Sequence, residues 1–110
     1  MEAPIRRIDA HVHYAWPITG ESLARVLELT GADAACLAAL PGTPRLDSTL
    51  DILCYKLAHP RTTFAFGCLD CTVYERRPER CGKLFARRAK RLLALGCDGI
   101  KLLEGKPTMR

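Results

Sequence analysis

The sequence predicts an α/β fold in which short parallel strands alternate with helices. Segments with the two-residue periodicity or unbroken apolar character of strands are separated by segments with the 3.6-residue periodicity of helices. Each separating segment is long enough for the crossover of about a dozen residues that joins parallel neighbours. The chain has 110 residues, 48% of them hydrophobic and 26% charged. This composition fits one globular domain and excludes a disordered tail or a fibrous repeat.

The first half of the chain opens with a strand, a helix and a second strand. Residues 8–13 alternate apolar and polar side chains, which predicts a strand. Residues 21–30 place apolar side chains at helical spacing, and Gly31 follows as a stop signal. Residues 34–40 form a continuous apolar run, which is typical of a strand buried on both faces.

A second helix and a third strand follow. Ser48 and Asp51 have the spacing of a capping box, which predicts a helix start at this point. The apolar face of this helix ends near Pro60. Residues 62–69 are rich in β-branched and aromatic side chains and predict the third strand.

A third helix and a fourth strand complete the pattern. Pro78 is a favourable first-turn residue for a long helix, and Gly96 ends that helix. Residues 98–103 predict the fourth strand. The strands begin near positions 8, 34, 63 and 98, so successive gaps are 26, 29 and 35 residues. A (β/α)₈ barrel uses about 31 residues per unit.

This spacing predicts that residues 1–110 are a single domain, the β-α-β-α-β-α-β parallel half of a TIM (β/α)₈ barrel. A small doubly wound sheet has the same order of elements. That fold usually carries a glycine-rich turn after its first strand, and none follows residue 13 here. We therefore expect an N-terminal half-barrel that is a fragment of a longer barrel.

The first strand carries the most informative polar residues. Residues two apart in a strand point to the same face, so we expect His11 and His13 to project together with Asp9 beneath them. Two imidazoles at this separation can bind one divalent cation. They lie at the carboxyl end of the strand, where barrel enzymes place their chemistry. The alternative is two ordinary histidines on a half-exposed strand.

Residues 8–14, IDAHVHY, resemble the first-strand motif of the amidohydrolase superfamily, and residues 98–102, DGIKL, resemble its fourth strand. The similarity is strongest to the amidohydrolase-related, metal-dependent hydrolases, a branch that includes aminocarboxymuconate-semialdehyde-type decarboxylases. The resemblance implies a (β/α)₈ barrel with a divalent metal, most often zinc. It also implies that His11 and His13 are metal ligands and that Asp9 is a buried supporting residue.

The same resemblance concerns Lys101. Some members carry a carboxylated lysine at this position that bridges two metals, whereas others use one metal and no such lysine. Alternation places Lys101 opposite Ile100 and Leu102, so it faces the barrel if those two face the helices. The remaining ligands and the catalytic Asp of the superfamily are expected outside this chain. We expect the third histidine, His59, to have a structural or capping role.

The resemblance implies a hydrolase in which a metal-activated water attacks a C–N or C–O bond of a small-molecule substrate. Decarboxylating relatives use the same kind of site to cleave a carbon–carbon bond. A catalytic zinc needs three protein ligands and an open position, so we expect the 110-residue chain to be inactive alone. Its two open strand edges predict self-association or pairing with the rest of a barrel.

Other interpretations start from different residues. TatD-like nucleases and PHP-type phosphoesterases also open with a His-x-His strand, although Glu104 lies too late to match the TatD-like ligand. The sixteen positions from Arg76 to Arg91 hold eight basic residues, which could bind nucleic acid. A solvated face of an amphipathic helix is the interpretation we favour. Cys68 and Cys71 have the C-x₂-C spacing of zinc knuckles and redox pairs, but no second pair accompanies them.

Composition also predicts the compartment. The six cysteines are interpreted mostly as reduced core residues. No apolar run approaches the roughly 18 residues of a membrane helix. The N-terminal residues show no secretory signal. We therefore expect a cytoplasmic protein with no membrane partner.

Overall fold

The computed structural model describes residues 6–15, 18–40, 48–69 and 76–102, which form an α/β unit. Its strands are β1 (Ile8–His13), β2 (Ala34–Ala38), β3 (Thr63–Cys68) and β4 (Gly99–Lys101). Its helices are α1 (Gly20–Thr30), α2 (Thr49–Ala58) and α3 (Cys81–Ala94), with a 3₁₀ turn at Pro78–Arg80 before α3. The strands form one parallel sheet in the order β1-β2-β3-β4. The predicted alternation of parallel strands and helices is confirmed.

One apolar core holds the three helices against the sheet. Leu37 of β2, Ile52 of α2 and Leu92 of α3 are its largest fully buried side chains. Each such side chain stabilises the fold by roughly 1.5–3 kcal/mol relative to an exposed position. Leu23 of α1 belongs to the same cluster. The sheet presents small residues to the helices, and at Gly67 a Cβ would lie only 2.6 Å from Leu92 Cδ2.

The ends of α1 follow local sequence rules. Thr19 is the N-cap residue, and its Oγ1 accepts a hydrogen bond from the backbone N of Ser22 at 3.1 Å. This bond satisfies one of the amide groups that the first turn leaves without a partner. Gly31 ends the helix with φ 65°, a left-handed conformation that glycine adopts without strain. The predicted stop at Gly31 is confirmed.

The helix start predicted at Ser48 is confirmed, because Ser48 is the N-cap residue of α2, but the predicted capping box of Ser48 and Asp51 is wrong. Ser48 precedes α2 but makes no side-chain bond to the first turn. Its Oγ instead accepts a hydrogen bond from the backbone N of Leu40 at 3.2 Å. Ser48 is buried, so its hydroxyl satisfies an amide just beyond the end of β2, and that tertiary contact takes the place of the local cap.

Asp98 fixes the beginning of β4. Its backbone N donates to Ala65 O at 2.7 Å, and its Oδ2 accepts from Ala65 N at 2.8 Å. The same Oδ2 accepts from Lys56 Nζ at 2.8 Å, and Lys56 also donates to Gly96 O at 2.7 Å. These bonds join α2 and the turn after α3 to the sheet at the start of β4.

β1 has the predicted bounds, whereas the other three strands are shorter than the sequence predicts. β2 ends at Ala38, and β4 covers only three residues. Within the described residues, no helix is long and apolar enough to cross a membrane.

Candidate metal site at the carboxyl end of the sheet

His11 and His13 converge at the end of β1. Their Nε2 atoms lie 2.8 Å apart, and their ring centroids are 4.7 Å apart with planes inclined at 56°. Both side chains are exposed. At this distance one Nε2 carries a proton and donates it to the lone pair of the other.

Lys101 reaches the same point from β4. Its Nζ lies 3.1 Å from Nε2 of His11. An ammonium group can only donate, so His11 Nε2 is the acceptor and the proton of that ring lies on Nδ1. Ile100 packs against the core, so Lys101 has the orientation that strand alternation predicts. We call the side chains of His11, His13 and Lys101 the nitrogen cluster.

The contact between Lys101 and His11 requires a curved sheet. β1 and β4 stand at opposite edges of the four-stranded sheet, about 14 Å apart for three strand spacings. Side chains stand roughly perpendicular to a sheet, so side chains on a flat sheet would run parallel and would not meet over this distance. The sheet therefore curls towards the face that carries the nitrogen cluster.

Asp9 supports His11 through the backbone. The pairing of β1 with β2 shifts by one residue after Asp9, which is a β-bulge. Asp9 is aligned with Ala35, whereas His13 is aligned with Ala38, a position on the opposite face of β2. Asp9 Oδ1 accepts a hydrogen bond from the backbone N of His11 at 3.1 Å. The simple alternation that places Asp9 beneath both rings is interrupted by this bulge, and Asp9 is half-buried.

Two imidazoles fit a divalent cation in part. Zinc-to-imidazole bonds are about 2.0–2.1 Å long, so two tetrahedral ligand atoms lie about 3.3 Å apart. The Nε2 atoms of His11 and His13, at 2.8 Å, need to separate only slightly to reach that spacing. Across residues 6–15, 18–40, 48–69 and 76–102, no group of three or more His, Cys, Asp or Glu side chains could hold a metal. The nitrogen cluster therefore offers two of the three protein ligands that a catalytic zinc needs.

Phe66 lies on the same face of the sheet, below Lys101. Phe66 is aligned with Gly99, and a Cβ at Gly99 would lie 2.5 Å from Phe66 Cε1. The ring therefore covers the glycine two residues before Lys101. Phe64 is on this face as well and is 39% exposed. The two phenylalanines were predicted only as strand residues, although the alternation of small and aromatic residues from Thr63 to Gly67 distinguishes the two faces of β3.

Burial affects the ionisation of two cysteines in the sheet region, Cys36 and Cys97. Burial, together with the negative charges of Asp9 and Asp98, raises the pKa of the Cys36 thiol. Burial also raises the pKa of Cys97, against a smaller lowering by a backbone hydrogen bond with Gly67. Thiolates bind metals and act as nucleophiles, and the raised pKa lowers the thiolate fraction of both side chains.

The described cysteines form no disulfide, but only two of the five are buried, so the prediction that most of them are core residues is wrong. They are Cys36, Cys54, Cys68, Cys81 and Cys97. Cys68 is buried at the end of β3, with its Sγ 3.9 Å from Thr49 Oγ1. Cys71 lies outside the described residues, so the C-x₂-C interpretation stays a prediction.

Two other predicted candidates lie away from the nitrogen cluster. His59 is the C-cap residue of α2, and its ring stacks on Tyr55 with centroids 4.4 Å apart, in keeping with the expected structural role. Most basic residues of α3 lie opposite its buried residue, Leu92, whereas Arg88 lies one turn before Leu92 and is half-buried. Lys83, Arg87, Lys90 and Arg91 are exposed and fall within an arc of about 100°.

No protein-family model matches this chain, and comparison with curated proteins and with solved structures finds no significant similarity. The resemblance of the first and fourth strands to a known superfamily thus stays an inference from their motifs. Function has to be inferred from what the nitrogen cluster can do chemically.

Proposed function

We propose that this chain supplies the first four strands of a metal-dependent hydrolase of the amidohydrolase type, with His11 and His13 as metal ligands. The observation that carries the proposal is the approach of their Nε2 atoms to 2.8 Å at the carboxyl end of β1. A hydrogen bond between exposed groups adds little stability because water competes for both partners. A shared cation gives this convergence a function.

The arrangement of helices supports a half-barrel over a doubly wound sheet. The strands follow one another in sequence order, and right-handed crossovers between successive neighbours put every helix on the same face. Leu23, Ile52 and Leu92, one from each helix, meet in a single core cluster. A doubly wound sheet has helices on both faces. The curl that brings Lys101 to His11 also agrees with a barrel.

In the proposed mechanism the described residues would hold the metal ion and orient the imidazole rings that bind it. A divalent cation supplies polarisation of a carbonyl group and activation of water. His11 and His13 would hold the cation through Nε2, which requires the ring protons on Nδ1, so His13 would give up the Nε2 proton that it shares with His11 in this structure. Asp9 fixes the backbone of the bulge and so fixes the direction of the His11 ring. The carboxylate base that hydrolysis needs has to come from strands that complete the barrel.

The outer surface supports the need for such strands. β1 and β4 are the two edges of the sheet in the described part of the chain, and strand edges pair readily. Large apolar side chains are also exposed in this part of the chain. They include Ile8 of β1, Leu102 just after β4, and residues of all three helices: Val26, Leu29, Leu50, Leu57 and Leu93. The partner is the remainder of a longer polypeptide or a second copy, and light scattering on the 110-residue chain should show dimers or larger species. A stable monomer would contradict the need for a partner.

A calorimetric titration with zinc tests the metal proposal. We expect the chain to bind zinc, and the His11→Ala and His13→Ala variants to bind it at least about tenfold more weakly, since even outer partners of a metal site are worth 10–100-fold. His59→Ala is the matched control, because it removes an imidazole outside the cluster and should leave affinity unchanged. Equal affinity in all four proteins would overturn the proposal.

A decarboxylase of the same superfamily is the second candidate, since the same pair of histidines would bind the metal in both kinds of enzyme. Carbon dioxide release by the assembled barrel from carboxylated substrates, without hydrolysis of amides or esters, would favour this candidate. Loss of either activity in His11→Ala would assign it to the nitrogen cluster.

A further inference from the structure

A cavity lies on the helix side of the sheet, away from the nitrogen cluster. The described residues that line it are Tyr14, Ile18, Asp51, Cys54 and Tyr55. Tyr14 belongs to the apolar core that joins the helices to the sheet, so the cavity lies beside α1 and α2 and not beside the histidines. Its volume of about 260 Å³ is below the range of about 300–1,000 Å³ that is typical of whole ligands. The cavity therefore suits a small chemical group.

Two tyrosine rings form adjoining walls of this cavity. The centroids of Tyr14 and Tyr55 lie 5.5 Å apart, and their ring planes are inclined at 51°. Tyr55 also stacks on His59, with centroids 4.4 Å apart. A Cβ at Gly20 would lie 3.3 Å from two carbon atoms of the Tyr55 ring. These neighbours hold the Tyr55 ring in place before a ligand enters, which lowers the entropic cost of binding.

The charge that Asp51 brings to the cavity is negative, and both tyrosine hydroxyls stay neutral at physiological pH. Burial and, to a smaller extent, the negative charge of Asp51 raise the pKa of the Tyr14 hydroxyl. Burial also raises the pKa of Tyr55. Asp51 lies in the first turn of α2, where a helix end supplies only about half a positive charge against the full charge of the carboxylate. This electrostatic environment favours a cation.

The aromatic walls indicate which kind of cation fits. The face of an aromatic ring attracts a cation within about 6 Å of its centroid, and quaternary ammonium groups are the ligands that aromatic cages bind. A primary ammonium group has three N–H donors that need acceptors, whereas the methyl groups of a quaternary ammonium need none. Methyl groups can therefore lie directly against the tyrosine rings.

We propose that this cavity binds the trimethylammonium group of a small molecule, against the rings of Tyr14 and Tyr55 and beside the carboxylate of Asp51. The site goes beyond the proposed function and requires neither the metal nor the strands that complete a barrel.

The test compares choline with dimethylbutanol, the uncharged alcohol of the same shape in which a carbon atom replaces the nitrogen. We expect ligand-observed NMR titrations of the 110-residue chain to show choline binding at least about fivefold more tightly than dimethylbutanol, because only the cation is attracted by the rings and the carboxylate. Equal binding of the two ligands, or no binding of choline, would overturn the proposal.

Variants separate the contributions of ring and charge. Tyr55→Leu should weaken choline binding at least about threefold, whereas Tyr55→Phe keeps the ring and should retain the affinity. Asp51→Asn should weaken choline binding at least about twofold and should leave dimethylbutanol unaffected. Glu79→Gln is the matched control, because it removes an exposed carboxylate outside the cavity and should change nothing. Circular dichroism shows whether each variant is folded, and an undiminished preference for choline in folded Tyr55→Leu and Asp51→Asn would contradict the proposal.

The thiol of Cys54 reports on occupancy without any substitution. Cys54 is exposed and lines the cavity, whereas Cys81 lies on α3. Choline should therefore slow alkylation of Cys54 by iodoacetamide, followed by peptide mass mapping, and should leave the rate at Cys81 unchanged. Equal rates at Cys54 with and without saturating choline would place the ligand elsewhere and overturn the proposal.

Sedimentation with phosphatidylcholine vesicles distinguishes the two sources of a trimethylammonium group. We expect the chain to stay in the supernatant, as a site for a free molecule requires. Sedimentation that choline reverses would overturn the assignment to a small molecule and identify a lipid headgroup as the ligand.

Discussion

Gly67 offers the sharpest test of how α3 packs on the sheet. A Cβ at this position would lie 2.6 Å from Leu92 Cδ2, 3.1 Å from Leu92 Cδ1 and 3.1 Å from Cys97 Sγ. Leu92 is fully buried, so it has no open space to enter. Gly67→Ala therefore forces α3 away from β3 or forces Leu92 out of its preferred rotamer.

The cost of such overpacking is about 1–3 kcal/mol. A domain of this size loses about 4 °C in Tm per kcal/mol, so we expect Gly67→Ala to lower Tm by about 4–12 °C. Gly82→Ala is the matched control within α3, because nothing lies within 4 Å of a Cβ there. Alanine replaces glycine in a helix with a gain of roughly 0.5–1 kcal/mol, so Tm should rise by about 2–4 °C.

Thermal unfolding followed by far-ultraviolet circular dichroism measures both variants against the unaltered chain, in parallel and at one concentration. Opposite signs for the two substitutions are the expected result. A neutral or stabilising Gly67→Ala would show that Leu92 does not pack closely against Gly67 of β3 and would refute this packing.

Further predictions concern stability, pH and charge. Asp98→Ala should lower the free energy of unfolding, measured by urea denaturation, by about 1–3 kcal/mol because Ala65 N loses its acceptor. Asp98→Asn keeps an acceptor and should lower it by under about 1 kcal/mol, through loss of the ion pair with Lys56. Equal decreases in the two variants would contradict this prediction. Burial raises the pKa of Cys97 above its ordinary 9.0. The stability that the protonated Cys97 thiol contributes is therefore complete below pH 9.0 and is lost as pH rises through its folded-state pKa. The free energy of unfolding near about pH 10 should therefore be lower than at neutral pH, and Cys97→Ala should reduce this decrease. DNA binding measured by fluorescence anisotropy should vanish near physiological salt and should weaken in Lys83→Gln and Arg87→Gln for all sequences alike; sequence-specific binding at that salt would restore the nucleic-acid interpretation.

The order of elements could be predicted because each strand and helix has its own local signal. The alternation in residues 8–13, the stop at Gly31 and the apolar run from Ala34 all act within a few residues. Parallel pairing followed from crossover length alone. Such local signals are consistent with the tertiary structure here, so the sequence analysis and the structure agree on the architecture.

The failed predictions share a physical cause, which is competition from residues distant in sequence. Ser48 has a side chain suited to capping a helix, but its hydroxyl oxygen accepts a hydrogen bond from the backbone N of Leu40, eight residues away. The bulge after Asp9 depends on the register between β1 and β2, which one strand does not determine. Neither event leaves a mark in a short window of sequence.

The candidate site could be predicted only in outline. The His-x-His spacing places both imidazoles at one end of one strand, and alternation gives the face of Lys101. The 3.1 Å contact between Lys101 and His11 depends on the curl of the whole sheet. The aromatic surface at Phe66 depends on the absence of a side chain at Gly99. Gly99 lies on β4, which is three strands away from the strand of His11 across the sheet.

Zinc-edge X-ray absorption on the zinc-treated chain tests the central claim most directly. We expect two imidazole nitrogens at about 2.0–2.1 Å, and their loss in the His11→Ala, His13→Ala double variant. An unchanged spectrum in that variant would contradict the claim. Sulfur at about 2.3 Å would contradict it as well, since the metal would then lie on cysteines such as Cys68 and Cys71 instead of on the nitrogen cluster.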